Sequence, residues 1–380
     1  MARNGDPCGF LPTPEQQQLL RACLLRDEAA VSAWRQWRAS ADLDHLDAGS
    51  NRLLPLLYRN LARLGVPDPE MARLKGIYRY YWSKNHLLFH DAGELAGRLQ
   101  QRGIPVLLLK GAALVVAHYQ DPGVRPMADV DLLVPSAQAQ AAADCLRESG
   151  WRLKDGVSFE ELMRCSYAGV FANARGQEID LHWFALPEGR QPGADAHFWD
   201  ASAPANLGNA AVRCASPADL LLHVCAHGAY WCPVPPVRWV ADALVILQTA
   251  GDRLDWDRFL AQARARWLTL ALHTTLDYLR RAFAATIPAR VMTALETSPH
   301  PWLERYEYRA RFHPRGVLGA LPEHISNYLR LMKPASRWQT VARAPRHFQR
   351  LWALPSVTAL PPFLARKAWR RLHFRSKPQA

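Results

Sequence analysis

The stretch from Ile104 to Pro135 constrains the fold more than any other part of this 380-residue chain. Its apolar run at 105–109 ends at Lys110-Gly111 and predicts a strand buried on both faces. A helix is expected after the glycine, and the turn residues at 121–123 end it. A second strand follows at 129–134, with the sequence Asp-Val-Asp-Leu-Leu-Val. The stretch therefore predicts strand, glycine turn, helix, loop and a strand that carries two aspartates.

The two aspartates of the second strand, Asp129 and Asp131, share a face because residues two apart in a strand point to the same side. Their Cα atoms are about 6.5 to 7 Å apart, and unpaired carboxylates at that distance repel by about 2 to 3 kcal/mol at an effective dielectric constant of about 20. A cation relieves this repulsion, and Mg²⁺ prefers oxygen ligands. The adjacent glycine turn offers amides and a lysine to phosphate. The pair predicts a magnesium site for a nucleoside triphosphate, or else a solvated strand end.

A third carboxylate follows in a predicted hairpin. The turn at 173–176 is flanked by strand-like residues at 167–172 and 177–184. In the second of these strands Asp180 and His182 alternate with apolar residues, so they share the polar face. Laid beside the first aspartate strand, Asp180 would complete a site of three carboxylates.

These motifs resemble the signature of the polymerase-β-like nucleotidyltransferases, a glycine turn followed by an Asp-x-Asp strand and a later single Asp. They are similar, more narrowly, to a functionally uncharacterised bacterial nucleotidyltransferase family within that superfamily. The resemblance spans about Tyr78 to Arg280, and its motifs are LKGA at 109–112, RPMADVDLLV at 125–134, DLHW at 180–183, HVCAHG at 223–228 and RWVAD at 238–242. It implies an α+β fold, with a small mixed sheet of polymerase-β-like nucleotidyltransferase type and helical regions on both sides.

The resemblance also implies a mechanism and its residues. An acceptor hydroxyl or phosphate would attack the α-phosphorus of an NTP, with ATP as the expected donor. Two Mg²⁺ ions, or Mn²⁺ in their place, would assist the attack. The expected catalytic residues and metal ligands are Asp129, Asp131 and Asp180. The expected nucleotide-binding residues are Lys110, Gly111 and Arg125. Most of the superfamily has serine after the glycine, and here Lys110 or Arg125 would replace it.

Further polar residues lie on predicted helices after residue 214. Asp219, His223 and His227 are four apart and form one stripe of a helix that begins near Ser216. The stripe can bind a transition metal, face a cleft where the histidines touch substrate, or only pack against a neighbouring helix. On the next helix Arg238 and Asp242 can pair at a spacing of four. The side chains expected to contact substrate are His182, His223, His227 and Arg238.

Length and composition indicate a globular protein of two or three domains, with 49% apolar and 21% charged residues. The predicted regions are a helical N-terminal region at 1–102, a catalytic core at 103–185, a loop and hinge at 186–213, a helical domain at 214–300 and a basic, aromatic-rich helical tail at 301–380. Seven cysteines, an odd number, argue against a disulfide framework. No apolar run reaches the roughly 18 residues of a membrane span, and no apolar signal core opens the chain. The expected location is the cytoplasm, and peripheral attachment to the inner face of the membrane is the alternative within it.

The net charge of +13 comes entirely from the tail. Residues 301–380 hold 16 Lys and Arg against 3 Asp and Glu, whereas residues 1–300 hold 31 of each. Aromatic residues are interleaved with these cations. The tail therefore predicts an anionic membrane surface or RNA as partner, or only a solvated basic helix with an aromatic packing face.

Three functions follow from these patterns. The first is magnesium-dependent nucleotidyl transfer from an NTP to a small-molecule, sugar or peptide acceptor, a class of acceptor that rests on the resemblance alone. The second is a non-catalytic nucleotide-sensing or scaffold protein whose tail holds an anionic surface. The third is an RNA-modifying nucleotidyltransferase. The presence of all three carboxylates favours transfer over sensing.

Overall fold

The fold begins with five helices that precede the first strand. The computed structural model describes residues 10–154, 156–229, 236–312, 321–332 and 336–374. The first five helices are α1 (Pro14–Leu24), α2 (Asp27–Ser40), α3 (Ala48–Asn51), α4 (Leu54–Arg63) and α5 (Met71–Gln101). Thr13 opens α1 with a capping box, because its hydroxyl accepts from Gln16 N–H while the Gln16 side chain accepts from Thr13 N–H. The 31-residue α5 is the long helix that the apolar spacing predicts after Pro69.

The central part of the chain contains the strands. They are β1 (Leu107–Leu108), β2 (Asp129–Leu133), β3 (Arg152–Leu153), β4 (Ala168–Ala172), β5 (Glu178–His182), β6 (Ala203–Leu207) and β7 (Ala210–Cys214). The helices between them are α6 (Lys110–Leu114), α7 (Ala139–Glu148), α8 (Phe159–Cys165) and α9 (Ala196–Asp200). A π-helical turn, Val115–Tyr119, continues α6 until Gln120 adopts a left-handed conformation with φ of 53°. The segment therefore ends just before the predicted turn at 121–123.

The rest of the described chain is helical. Its helices are α10 (Pro217–Gly228), α11 (Arg238–Ala250), α12 (Trp256–Ala265), α13 (Thr269–Phe283), α14 (Ala289–Glu296), α15 (Trp302–Phe312), α16 (Leu321–Leu331), α17 (Arg337–Leu351) and α18 (Leu360–Phe374). Ser216 caps α10 through its side chain, which accepts from Asp219 N–H, and Pro217 takes the first helical position.

The strands of the described chain form one mixed sheet of seven strands in the order β3-β4-β5-β2-β1-β7-β6. The pairs β2–β5 and β1–β7 are parallel, and the remaining neighbours are antiparallel. Strands β2 and β5 occupy the middle, where apolar Val130, Leu132, Ile179 and Leu181 are fully buried. The predicted α+β class, with a mixed sheet between helical regions, is confirmed.

The prediction of a loop and hinge at 186–213 is wrong, because β6 and most of β7 lie in this segment and extend the sheet beyond β1. Leu207 pairs with Ala210, so Gly208-Asn209 forms a two-residue hairpin turn, with Gly208 at a φ of 57°. The sequence marks these strands weakly, because β6 reads Ala-Pro-Ala-Asn-Leu and lacks β-branched and aromatic residues. The sheet thus runs past the predicted core boundary at 185, while the division of the chain into five regions remains a prediction.

One hydrophobic core joins the N-terminal helices, the sheet and the following helices, with members from Phe10 to Leu295. The described cysteines, Cys23, Cys145, Cys165, Cys214 and Cys225, are buried free thiols, while Cys8 and Cys232 lie outside the described residues. Among the helices that the structure describes, each is too short or too polar to cross a bilayer.

Candidate active site

The sheet places the three predicted carboxylates on one face. Asp131 is directly opposite Asp180 in the parallel register of β2 and β5, and Asp129 is opposite Glu178. Because paired residues point to the same face, Asp129, Asp131 and Asp180 project from one side of the sheet. Asp131 is almost fully buried, while Asp129 and Asp180 are half-buried. The carboxylate arrangement follows directly from the alternation in the two strands.

His182 lies behind these carboxylates. Its Nε2 is 3.2 Å from Asp131 Oδ1 and 3.1 Å from Asp180 Oδ2, and its Nδ1 is 3.2 Å from the Phe184 carbonyl. Burial opposes a charge on the ring, but the Asp180 carboxylate outweighs it and raises the pKa of His182 to about 9. The imidazolium therefore donates to both carboxylates and to the backbone. The predicted substrate contact of His182 is wrong for this structure, since the ring has no exposed surface.

Lys110 approaches the same carboxylates from the front. Its Nζ is 2.5 Å from Asp131 Oδ1 and 3.8 Å from Asp180 Oδ2. Burial disfavours the ammonium ion, but these two carboxylates dominate and hold the pKa of Lys110 above its usual range. Burial likewise opposes the charge of Asp131, yet Lys110 and His182 keep its pKa well below its usual range. Lys110 has a φ of 41°, an uncommon backbone conformation for a residue with a side chain.

Gly111 is required by packing in this structure. A Cβ at this position would lie 2.4 Å from Arg125 Nη1 and 3.0 Å from Met127 Sδ. The guanidinium and the thioether thus cover the glycine, where the sequence predicts contact with a nucleotide. In this structure the side chains that approach Gly111 closely are therefore those of Arg125 and Met127.

Arg125 is engaged by a helix distant in sequence. Its Nε and Nη2 donate to Asp242 Oδ1 and Oδ2 at 2.9 and 2.8 Å, and the Tyr119 hydroxyl donates to Asp242 Oδ1 at 2.9 Å. The predicted pairing of Asp242 with Arg238 is therefore wrong. Arg238 Nη1 instead donates to the Pro126 carbonyl at 2.5 Å. Both contacts fix the loop before β2 against α11.

A cleft of about 600 Å³ opens in front of the carboxylates. Its walls come from the α3–α4 segment, α5, the β1–β2 region, α10 and α11. Three cations in the walls, Arg52, Lys84 and Arg238, have no carboxylate partner among the described residues. Burial and the nearby Arg125 lower the pKa of Arg238 to about 10, which indicates that its charge is poorly compensated. Such cations fit the phosphates of a nucleotide.

The three residues of the predicted stripe on α10 do not all face the cleft. His223 and His227 both line the cleft, with ring centroids 6.4 Å apart. His223 is buried, its Nδ1 has no hydrogen-bond partner, and burial together with Lys110 lowers its pKa well below the usual range. Asp219 turns away and accepts from Arg258 at 2.8 Å and from the Ser216 hydroxyl at 2.7 Å. The stripe therefore does not form the transition-metal site considered for it.

Three polar residues that line the cleft from the N-terminal helical region, Arg52, Tyr81 and Lys84, were not among the predicted site residues. Tyr81 and Lys84 are three apart on α5, and their aromatic and basic character was the available signal. Arg52 follows the short helix α3 and lies in no recognisable motif, so no local pattern could identify it. The cleft thus depends on the N-terminal helices as well as on the sheet.

The donor set suits a divalent cation. One ligand atom each of Asp131, Asp180 and His182 lie within 4.8 Å of one another, and this is the one such His, Cys, Asp and Glu cluster in the described part of the chain. The predicted ligand Asp129 is not a member of this cluster, and the protonated His182 donates to the two carboxylates, so Asp131 and Asp180 supply the oxygen ligands of the cluster. Burial and the neighbouring Asp131 raise the pKa of Asp129, so its charge is less well compensated than that of Asp131. A cation held by the carboxylate oxygens would relieve this cost, and oxygen ligands suit magnesium or manganese.

Three solved structures resemble the chain at low identity. The antibiotic-resistance factor ANT(2'')-Ia, solved in solution, is 14% identical and aligns over 53% of this chain and 98% of its own, with a TM-score of 0.34. A crystal structure of ANT(2'')-Ia in complex with adenylyl-2''-tobramycin is 14% identical over 48% of this chain and 97% of its own, with a TM-score of 0.34. An antigenic nucleotidyltransferase-like protein from Paracoccidioides brasiliensis is 18% identical over 56% of this chain and 94% of its own, with a TM-score of 0.36. No curated protein matches the sequence.

The family assignment rests on the sequence itself. A family model described as "Uncharacterised nucleotidyltransferase" matches residues 47–284. The match contains the three carboxylates, both histidines of α10 and the cleft residues of the N-terminal helices. It confirms the resemblance inferred from the motifs. Because it covers more than half of the chain, this protein belongs to the uncharacterised nucleotidyltransferase family and is an enzyme of the nucleotidyl-transferring class.

Proposed function

We propose that this enzyme transfers a nucleotidyl group from a nucleoside triphosphate, with ATP as the expected donor, to an acceptor hydroxyl or phosphate in a magnesium-dependent reaction. The observation that carries the proposal is the alignment of Asp131 with Asp180 across parallel strands, with Asp131 and Asp129 in the wall of an open cleft. A cleft of about 600 Å³ is of the size that holds a nucleotide-sized ligand. Family membership supports nucleotidyl transfer in general, and the donor, acceptor and metal are proposals.

Asp129, Asp131 and Asp180 would hold the divalent ions. When bound, such ions neutralise charge on the attacking and leaving oxygens and lower the pKa of the attacking hydroxyl. The protein prepares these carboxylates in advance. His182 fixes Asp131 and Asp180 by donating to both, and its buried position keeps them from rotating. We assign His182 as a positioning residue.

The cations of the cleft differ in whether a carboxylate already pairs with them. Arg238, Arg52 and Lys84 keep donors available for the phosphates of the donor nucleotide. Lys110 also faces the cleft, although here its ammonium group is paired with Asp131. Arg125 is occupied by Asp242, so its role is to shape the loop before β2.

His223 and His227 are the nearest candidates for contact with the acceptor. They line the cleft from α10, on a different element from the aspartate strands. Of the two, His227 is the exposed side chain, and burial of its surroundings together with Lys110 lowers the pKa of His227 to about 4, so its neutral ring keeps a nitrogen able to accept a hydrogen bond from an acceptor hydroxyl. Asp129, Asp131 and these histidines line the cleft in which donor and acceptor would meet.

The proposal is tested by calorimetric titration of the four NTPs, with and without Mg²⁺, into wild type, Asp131→Asn and Glu178→Gln. Wild type should bind at least one NTP only when Mg²⁺ is present, and should release pyrophosphate slowly with water as acceptor. Asp131→Asn should weaken binding by about 10-fold to 100-fold, since it removes a charged ligand.

Glu178→Gln is the matched control. Glu178 lies on the same face of β5 as Asp180 but pairs with Lys154 at 2.5 Å outside the cleft. This variant should bind NTP like wild type. If wild type binds none of the four NTPs, or if Asp131→Asn binds equally well with Mg²⁺, the proposed site is wrong.

A further inference from the structure

The last two described helices form a strongly cationic segment. Residues 336–374 contain eight Lys and Arg and no Asp or Glu. The eight are Arg337, Arg343, Arg346, Arg350, Arg366, Lys367, Arg370 and Arg371. The segment therefore has no carboxylate of its own that could neutralise these charges.

One side of α17 is held against the protein. Tyr328 of α16 contacts the rings of His347 and Phe348, with centroids 4.7 and 5.5 Å away. The Tyr328 hydroxyl also donates to the Thr340 carbonyl. Phe348 in turn stacks on Trp352, with centroids 5.3 Å apart. These contacts fix the rotation of α17 about its axis, so the opposite side faces outward.

The outward side of α17 carries apolar residues. The exposed fraction is 85% for Trp338 and 67% for Val341, and Pro345 is also exposed. These three residues are spaced at i, i+3 and i+7, so they form one stripe of the helix. A large exposed tryptophan beside an exposed aliphatic side chain is a patch that water solvates poorly.

A second stripe on the same helix is cationic. Arg343, Arg346 and Arg350 are exposed and repeat the i, i+3, i+7 spacing. None of them has a carboxylate partner among the described residues. Trp369 of α18 is 56% exposed, and Arg366 is exposed one turn before it. The apolar and cationic stripes are the two features of a helix that lies in a membrane interface.

We propose that the exposed face of α17 binds the surface of an anionic lipid bilayer. The arginines would meet lipid phosphates while Trp338 and Val341 enter the boundary between headgroups and acyl chains. RNA would also attract the cations, and a base stacks readily on a ring such as Trp338, but RNA makes no use of exposed Val341 and Pro345. The apolar residues therefore favour lipid over RNA. This inference concerns where the enzyme works and does not depend on the proposed reaction.

Co-sedimentation of the full-length protein with vesicles tests the proposal. The vesicles are phosphatidylcholine alone, or phosphatidylcholine mixed with phosphatidylglycerol. Wild type should bind the mixed vesicles and not the neutral ones. Arg343→Gln/Arg346→Gln/Arg350→Gln should reduce binding by about a hundredfold, because each cation near an anionic surface contributes about a factor of five. Trp338→Ser/Val341→Ser should also reduce binding, because it removes the side chains that enter the boundary between headgroups and acyl chains.

Trp302→Ser is the matched control. Trp302 is 67% exposed, like Val341, but lies on α15 next to Glu304 and Glu307 and outside the cationic segment. This variant should bind mixed vesicles like wild type. Equal binding of wild type to neutral vesicles, or binding that the Trp338→Ser/Val341→Ser variant retains in full, would overturn the proposal. Tight salt-dependent binding to single-stranded RNA without binding to mixed vesicles would overturn it in favour of RNA.

Discussion

At the scale of single residues, Asp242 determines how the cleft is arranged. Its two oxygens accept two hydrogen bonds from Arg125 and one from Tyr119, all in a buried environment. The pair joins residues 117 positions apart in the chain. Arg125 lies in the loop before β2, so Asp242 holds the approach to the aspartate strand against α11.

Asp242→Ala should therefore lower the unfolding free energy by much more than the loss of one surface contact does. It leaves the Arg125 guanidinium buried without a counter-charge, which costs about 3 to 5 kcal/mol of unfolding free energy. Urea denaturation of the variant and wild type, followed by circular dichroism, measures the difference.

Glu148→Ala provides the comparison. Glu148 pairs with Arg102, but both side chains are about half exposed, at 61% and 46%. Water screens such a pair, so its loss should change the unfolding free energy by about 1 kcal/mol or less. Equal losses for the two variants would mean that Arg125 is not buried with its charge.

Among the site residues, the strand carboxylates are the ones that the local periodicity of the sequence predicts. Alternation puts Asp129 and Asp131 on one face of β2 and Asp180 on the polar face of β5, and the register of the two strands then puts all three on one side of the sheet. The partner of Asp242 could not be found in this way, because the i, i+4 rule compares only neighbours on one helix and favours Arg238. The true partner comes from a loop that reaches α11 only in the folded chain.

At the scale of elements, the strands differ in how clearly the sequence marks them. Strands β2 and β5 have buried apolar residues at alternate positions, which is a strong local signal. Strands β6 and β7 consist largely of small residues and are recognisable chiefly by the Gly208-Asn209 turn between them. The pairing of β7 with β1 is tertiary and needs the folded sheet.

The junction of β1 and α6 gives the element-scale prediction. Gly111→Ala places a methyl group 2.4 Å from Arg125 Nη1. Arg125 cannot move aside easily, because Asp242 holds its Nε and Nη2. We expect a loss of about 1 to 3 kcal/mol in unfolding free energy, measured by urea denaturation.

Gly76→Ala is the matched control for this change. Gly76 lies in α5, is exposed, and would have no atom within 4 Å of its added Cβ. Alanine is the better helix former, so this variant should be about 0.5 to 1 kcal/mol more stable than wild type. A Gly111→Ala variant as stable as wild type would show that Arg125 relaxes without cost.

At the scale of the whole molecule, the helices and the sheet share one core. The buried cluster includes Leu57 of α4, Val130 of β2 and Leu272 of α13. In contrast, α17 has no buried residue among those described. The cleft also takes its walls from the N-terminal helices, the sheet and α10–α11. This architecture indicates that residues 10–295 unfold as one cooperative unit and that α17 opens separately.

Hydrogen exchange can test this cooperativity with a substitution far from the sheet. Leu57 is fully buried in α4, so Leu57→Ala should lower the unfolding free energy by about 2 to 5 kcal/mol. If α4 and β2 belong to one unit, the slowest amides of β2 should lose the same free energy of exchange as those of α4. Trp338→Ser, at a position that is 85% exposed, should leave both sets unchanged. Loss of protection in α4 with full protection kept in β2 would instead show that the N-terminal helices unfold on their own, as the predicted boundary at residue 102 implies.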